Sequence, residues 1–436
     1  MSSRKVMKFG GAALADGPAV ERSCRIVKEM GGAAPIVVVS AHQGVTNLLD
    51  AVARAAAGGT VEVDRVRIRH KGLLRQLGLD AELLNRYFAE LASFLESIRG
   101  RGRLLPGERD LVLSFGERMS ARVVAHALKR AGLQATPVDA FDLGLTTDSN
   151  HGSARPLPGS GTAVREALRQ VHGIPVVTGF LAQDRLGNLT TLGRNGSDLT
   201  ASLVAEAVEA SDLELWKAVG GMMTADPALV PDARILERLS FEEAGELASH
   251  GAEVLHPEAL VPAQRAGITV RFLDVSDPSA PGTTLVPEPS RAGPVAIAAR
   301  RRLVRLVLAS DGSVALAGRL SEVAGILARH AVEPAAFDAR GARIDLLLVP
   351  GPSTDAVLAE IGRCALVEKD LALAAVVGRP AVGAQEVLAE MGVTVREALI
   401  GLDRPSQVFL LHADDLERAV RGLHAALLSP RTVPAP

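Results

Sequence analysis

Residues 191–200 read TLGRNGSDLT, an arginine, an asparagine, a serine and an aspartate gathered around two glycines. Anionic oxygens are held where backbone N–H groups and a cation converge, so this composition suits a phosphate or a carboxylate. An ordinary tight turn has the same composition. In KFGG, residues 8–11, Lys8 ends an apolar run and is followed by Gly10 and Gly11, which let a ligand approach the backbone. SAHQGVTNLL, residues 40–49, places Ser40, Gly44, Thr46 and Asn47 between an apolar run and a helical pattern. Either Thr46 or Asn47 caps that helix, or the helix N-terminus receives an anion. In SFGERMSA, residues 114–121, Glu117 sits inside an otherwise apolar helix, where an unpaired carboxylate is costly. An ion pair answers that cost, and so does an amine ligand.

Short strand-like runs alternate with helical ones and must position these groups. KVMKFGG, APIVVVSA, QATPVDA, IPVVTGF and LELWKAV read as strands, several of them continuously apolar, as in a sheet covered on both faces. Residues 18–30, 46–57 and 64–99 read as helices. The alternation predicts an α/β domain with a mostly parallel sheet and helices on both faces. DPSAPGTTLVPEPSRAGP, residues 277–294, is a proline- and glycine-rich boundary. It divides the chain into residues 1–285 and 295–436. Beyond it, RLSEVAGILARHAVEPAAFD and RPAVGAQEVLAEMGVTVREALI share a turn, an amphipathic helix and an extended segment. Apolar strands flank each copy, which predicts two βαββαβ-like α+β modules.

Composition narrows the function. The 436 residues carry a net charge of −2 without a long basic run, and only 3% are aromatic, so neither a nucleic-acid footprint nor a base-stacking platform is present. Apolar runs are too short to span a membrane, and the N-terminus has no signal-like apolar stretch. Cys24 and Cys364 lie far apart and form no metal-ligand spacing; no metal site is expected from the residues. The expected setting is cytoplasmic.

In order along the chain, KFGG, VVVSAHQGVTNLL, GERMSA, TLGRNGSDLTA, TADPALVPDARIL, LSFEEAGELASHGAEVLHP and PGTTLV resemble the aspartate kinases of the amino-acid kinase superfamily. The resemblance covers essentially the whole chain. It implies an amino-acid kinase fold over 1–285, and tandem ACT regulatory or dimerisation domains over 295–436. The implied reaction makes an acyl phosphate, 4-phospho-L-aspartate, from L-aspartate or a close analogue and ATP with Mg²⁺. A homodimer through the ACT domains is implied too. By the same resemblance Arg194 binds a substrate carboxylate, Glu117 faces the α-amino group, and Thr46 and Ser197 are further substrate contacts. Lys8 neutralises charge on the transferred phosphoryl group and Asp198 is a catalytic aspartate. Gly10, Gly11, Lys217, Met223 and Glu253 fall at nucleotide positions. An ionised carboxylate attacking a phosphoryl group needs positioning and charge stabilisation rather than a strong base.

The nucleotide side departs from the family pattern. KAVGGMM, residues 217–223, has Ala218 in place of an aspartate and Met223 in place of the common tyrosine. Ala228 replaces an arginine, Glu253 a lysine, Asn195 a glycine, and Ala12 and Ala13 hydroxyl residues. A unit charge about 5 Å from one phosphate charge interacts by roughly 3 kcal/mol at an effective dielectric near 20, so Glu253 disfavours a bound polyphosphate. The alternative is therefore a catalytically silent amino-acid-binding homologue, or an enzyme of altered phosphate donor. The turns EPAAFDARG and TVREALIGLDRPSQ also lack the usual effector-binding pattern of such ACT domains.

Overall fold

The computed structural model describes residues 4–32, 34–251, 257–288, 293–309, 316–340, 343–361, 365–379, 383–400 and 406–428. They form two compact units. The first takes its described residues from 1–221, 237–241 and 256–288, and the second from 222–236, 242–255 and 289–436. The division is not linear: two segments ahead of residue 285 pack with the C-terminal residues. In Met222–Leu236 the cause is apolar burial, since Ala225, Leu229 and Val230 join the core of the second unit.

The first unit runs β1 (Lys5–Phe9), α1 (Gly17–Met30), β2 (Ile36–Val39), α2 (Val45–Ala57), α3 (Val63–Gln76), α4 (Asn85–Arg101), α5 (Pro106–Arg130), β3 (Ala135–Val138), β4 (Thr146–Thr147), α6 (Ser160–Arg169), β5 (Ile174–Thr178), β6 (Leu181–Asp184), β7 (Leu189–Thr191), α7 (Gly196–Val208) and β8 (Asp212–Lys217). After these come β9 (Arg238–Ser240), α8 (Phe241–Ser249, all but its first residue in the second unit), α9 (Val261–Arg265), β10 (Thr269–Asp274) and β11 (Thr283–Val286). Eight strands form one sheet in the order β3-β5-β2-β1-β8-β10-β11-β9, parallel except where β10 meets β11. All four residues of β2 are buried, as a strand covered on both faces requires. A second sheet, β4-β6-β7, carries the hairpin that leads into α7.

The single helix expected over 64–99 is two helices. Gly78 adopts φ +58, its N–H donates to Arg75 O at 3.2 Å, and the Leu79 N–H donates to Leu74 O at 2.9 Å. That pair of bonds closes a Schellman cap, and a side chain at Gly78 would be strained there. Apolar spacing continues across the break, which hides it from periodicity.

The second unit continues with β12 (Pro294–Ala309), α10 (Leu316–Arg329), β13 (Ala336–Arg340), β14 (Arg343–Leu348), α11 (Pro352–Ile361), β15 (Leu366–Gly378), α12 (Ala384–Glu390), β16 (Glu397–Ile400), β17 (Ser406–His412) and α13 (Leu416–Leu428). Its sheet order is β13-β14-β12-β15-β17-β16. Strands β12 and β15 are each long enough to serve twice. The second half of β12 pairs with β14 and the start of β15, while its first half pairs with the end of β15. Register shifts around Arg300–Arg305 separate the two halves. Each module is therefore a four-stranded antiparallel sheet with two helices, and the last strand of the second module precedes the first strand of the first. The two modules of this sheet are thus interleaved, with the two-module order that the repeat predicted. Cys364 lies outside the described residues; Cys24 is buried, and burial, then Glu21, pushes its thiol up to about 12.

Candidate active site

The carboxyl ends of β5, β2, β1 and β8 open side by side, the place where ligands collect in parallel sheets. A cavity of about 360 Å³ lies there, walled by Lys8 near the end of β1 and Gly11 after it, residues 40–44 after β2, Phe180 after β5, and the first turns of α2 and α7. Helix α2 starts from Gly44 and α7 from Asn195, and neither has a capping side chain. Thr46 and Asn47 are thus wall residues rather than caps. Two helix N-termini facing one cavity bring partial positive charge to it from both sides. Asn195 has φ 54, in the left-handed region that asparagine tolerates better than most residues, so it keeps the turn a glycine would make.

At one end of the cavity a carboxylate is held between two ammonium groups. Lys8 Nζ lies 2.6 Å from Asp198 Oδ1, and Lys217 Nζ lies 3.1 Å from Oδ2. Burial works to raise the Asp198 carboxyl, but the attraction of Lys8 and then Lys217 overrides it and holds the group at about 2. Burial pulls the Lys217 ammonium down, against the pull of Asp198. Its Nζ also stands 5.4 Å from the centre of the Phe272 ring. At this end two ammonium groups flank one carboxylate, an arrangement that suits phosphoryl oxygens.

Glu117 comes from the middle of α5 and is almost fully buried. Its Oε1 accepts the Ala41 N–H at 3.1 Å, while Oε2 is buried with no hydrogen-bond partner among the described residues. Burial pushes the carboxyl up to about 8; hydrogen bonds and Lys8 offset this only in part. A buried acidic group with one idle oxygen in a cavity wall awaits a donor from the ligand.

Of the residues expected from the sequence, Lys8, Gly11, Thr46, Glu117, Ser197 and Asp198 line this one cavity, and Lys217 joins it through Asp198. Gly10 adjoins it, immediately before Gly11. Arg194 is exposed and does not line it, although Gly193 and Asn195 on either side do. Met223 belongs to the second unit, where it forms a bridge with Ile235. Ala228 is exposed in that unit and donates its N–H to Asp226. Glu253 lies outside the described residues. Among the wall residues that the sequence reading did not single out are Phe180 and His42. Phe180 has φ 67, a backbone state with no sequence signal. His42 donates from Nδ1 to Leu14 O at 2.8 Å, and burial, then His70, holds its imidazole down at about 3.

The amino acid kinase family profile matches residues 3–274. The lysine-sensitive aspartokinase 3 of Escherichia coli K12 is 33% identical over 454 residues, covering 98% of this chain and 100% of that protein. The chain belongs to the aspartokinase family. Chloroplastic aspartokinase 1 of Arabidopsis thaliana is 30% identical, over 96% of this chain and 79% of that one. The crystal structure of E. coli aspartokinase III in complex with aspartate and ADP superposes with a TM-score of 0.80 at 31% identity, covering 97% of this chain and 99% of that one. Among the described residues, no helix is long and apolar enough to cross a membrane.

Proposed function

We propose that this aspartokinase-family enzyme phosphorylates the β-carboxylate of L-aspartate with ATP, yielding 4-phospho-L-aspartate. The observation that carries the reading is the convergence of two uncapped helix N-termini and the Lys8–Asp198–Lys217 cluster on one cavity that also holds Glu117. One end suits phosphoryl oxygens and the wall at Glu117 suits an amine. Lys8 and Lys217 take up negative charge as the phosphoryl group moves, and Asp198 fixes both ammonium groups. Thr46 and Ser197 contact the amino acid, and Gly10 and Gly11 let phosphates approach the backbone. Arg194, exposed beside the cavity, closes on a substrate carboxylate with its planar fork.

Mg²⁺ would add positive charge on the nucleotide oxygens when bound. Among the described residues, no three His, Cys, Asp or Glu side chains could hold a metal together, and both Asp198 oxygens face ammonium groups. This donor set fits an ion carried chiefly by the polyphosphate, as is usual for Mg²⁺. A homodimer joined through the ACT sheets would cover the open edge of β13, where Phe337 is 51% exposed. A cytoplasmic setting suits an ATP-consuming reaction. The silent alternative draws no support from full-length relatives that are named aspartokinases. Calorimetric titration of L-aspartate and of ATP, each alone, tests the reading. Both are expected to bind, and Arg194→Ala should weaken aspartate but not ATP; failure of aspartate to bind would overturn it.

A further inference from the structure

Seven residues before Glu117 on α5, and so on the same face of the helix, stands a second buried carboxylate that the reaction does not use. Asp110 is 0% exposed and pairs with four donors. Its Oδ1 accepts the Thr191 hydroxyl at 2.6 Å. Its Oδ2 accepts the Thr191 N–H at 3.2 Å and the Gly152 N–H at 3.0 Å, and lies 2.9 Å from His151 Nδ1. The donors come from two separate segments, which are also tied together by the Ala154 N–H donating to Thr191 O at 2.9 Å. Two residues beyond Thr191 is Gly193, a cavity wall residue with φ +73, where a Cβ would stand 3.2 Å from Gly152 O. Arg194 follows directly.

We propose that Asp110 is a positioning residue for the amino-acid substrate: it locks the Thr191–Asn195 turn to the helix that carries Glu117. The two ends of the amino acid are then met by groups whose separation is set by one rigid helix. The adjacent Arg109 ties the same helix turn to α2 through Asp50, Nε to Oδ1 at 2.5 Å, so the helix that carries Thr46 is referred to α5 as well. A buried carboxylate whose two oxygens both accept hydrogen bonds from the turn and its neighbour cannot let the turn shift without leaving those oxygens unpaired. This inference rests on the proposed aspartate site.

The test is Asp110→Asn, which keeps the shape but gives up acceptor capacity, alongside Thr191→Val, which removes only the hydroxyl donor. Because misplacement by ~1 Å costs on the order of 10²-fold, Asp110→Asn should raise KM for aspartate by about tenfold or more. KM for ATP should stay within about twofold and kcat should change less than KM for aspartate. Thr191→Val should move in the same direction by less, and Thr191→Ser should restore the native value. Hydrogen exchange of the peptides covering 148–155 and 189–196 should quicken in Asp110→Asn, with or without ligand. Unchanged exchange would overturn the clamp. Faster exchange and a lower melting temperature with KM for aspartate unchanged would make Asp110 merely structural and overturn its role in recognition. If the native protein does not bind aspartate, the functional reading fails instead, and the exchange result still judges the clamp.

Discussion

Binding of the amino acid should release a proton at neutral pH, and Glu117 should be its source. With its carboxyl near 8, Glu117 is protonated in the empty cavity at pH 7. An ammonium group arriving at its idle Oε2 favours the carboxylate, so the proton leaves. At pH 7 a group titrating at about 8 is roughly nine-tenths protonated, and ionising it costs about 1.4 kcal/mol. The affinity for aspartate should therefore lie about tenfold below its plateau at pH 7, rise about tenfold per pH unit below pH 7, and gain about fivefold more between pH 7 and pH 8. Calorimetry at pH 7 in phosphate and in Tris, which differ in ionisation heat, should report about 0.9 proton released per aspartate bound. Glu117→Gln should bind aspartate more weakly, without proton release and without the slope. The same group has a consequence for stability. Its folded value lies above its unfolded value of 4.5, so the unfolded chain binds fewer protons, and stability declines as pH rises from about 4.5 to 8. The ceiling on that decline is roughly 5 kcal/mol, and Glu117→Gln should remove it. Equal heats in both buffers and a flat affinity profile in the native protein would refute the reasoning.

Asp198→Asn deprives two ammonium groups of their shared anion, so kcat should fall by about 10²-fold or more, measured with saturating substrates. Because its carboxyl is held at about 2, the stability it contributes is present above about pH 3.8 and is lost as pH falls toward 2; acid unfolding of Asp198→Asn should lack that component. In the second unit the almost fully buried Arg305 joins Asp345 at 2.8 Å and also pairs with Glu397. Arg305→Ala removes it from carboxylates that are partly exposed, Asp345 keeping Arg343 at 2.6 Å, and should cost about 1–3 kcal/mol, read in denaturant as an earlier transition of that unit. A midpoint unchanged from the native protein would show that the ion pairs are not held in solution.

The fold was legible where local chemistry is strong. The fully apolar β2 and the glycine-terminated β1 announced a covered parallel sheet, and the repeat after residue 295 announced paired modules. Pattern could not show that β12 and β15 each serve two modules, because a strand's partners are chosen by topology rather than by its own alternation. The segment holding Ala225, Leu229 and Val230 is apolar enough to suit either core, so its pattern does not reveal which one it joins. At the site, Lys8, Glu117 and Asp198 stood out as charged residues in apolar or glycine-rich surroundings. Asp110 did not, since its partners Thr191, Gly152 and His151 come from segments far away in sequence. Phe180 was hidden for a different reason: its left-handed backbone is imposed by the turn after β5, and its side chain gives no sign of it.

The central claim is that aspartate and ATP react in this cavity to give an acyl phosphate. Hydroxylamine attacks acyl phosphates and converts them to stable hydroxamates with loss of phosphate. Incubating the purified full chain with L-aspartate, ATP, Mg²⁺ and hydroxylamine should therefore yield aspartyl hydroxamate in step with ADP. Both products should require aspartate and vanish in Asp198→Asn. Binding of aspartate without ADP or hydroxamate would identify an amino-acid-binding homologue, and ADP without hydroxamate would identify another acceptor; either result would contradict the account.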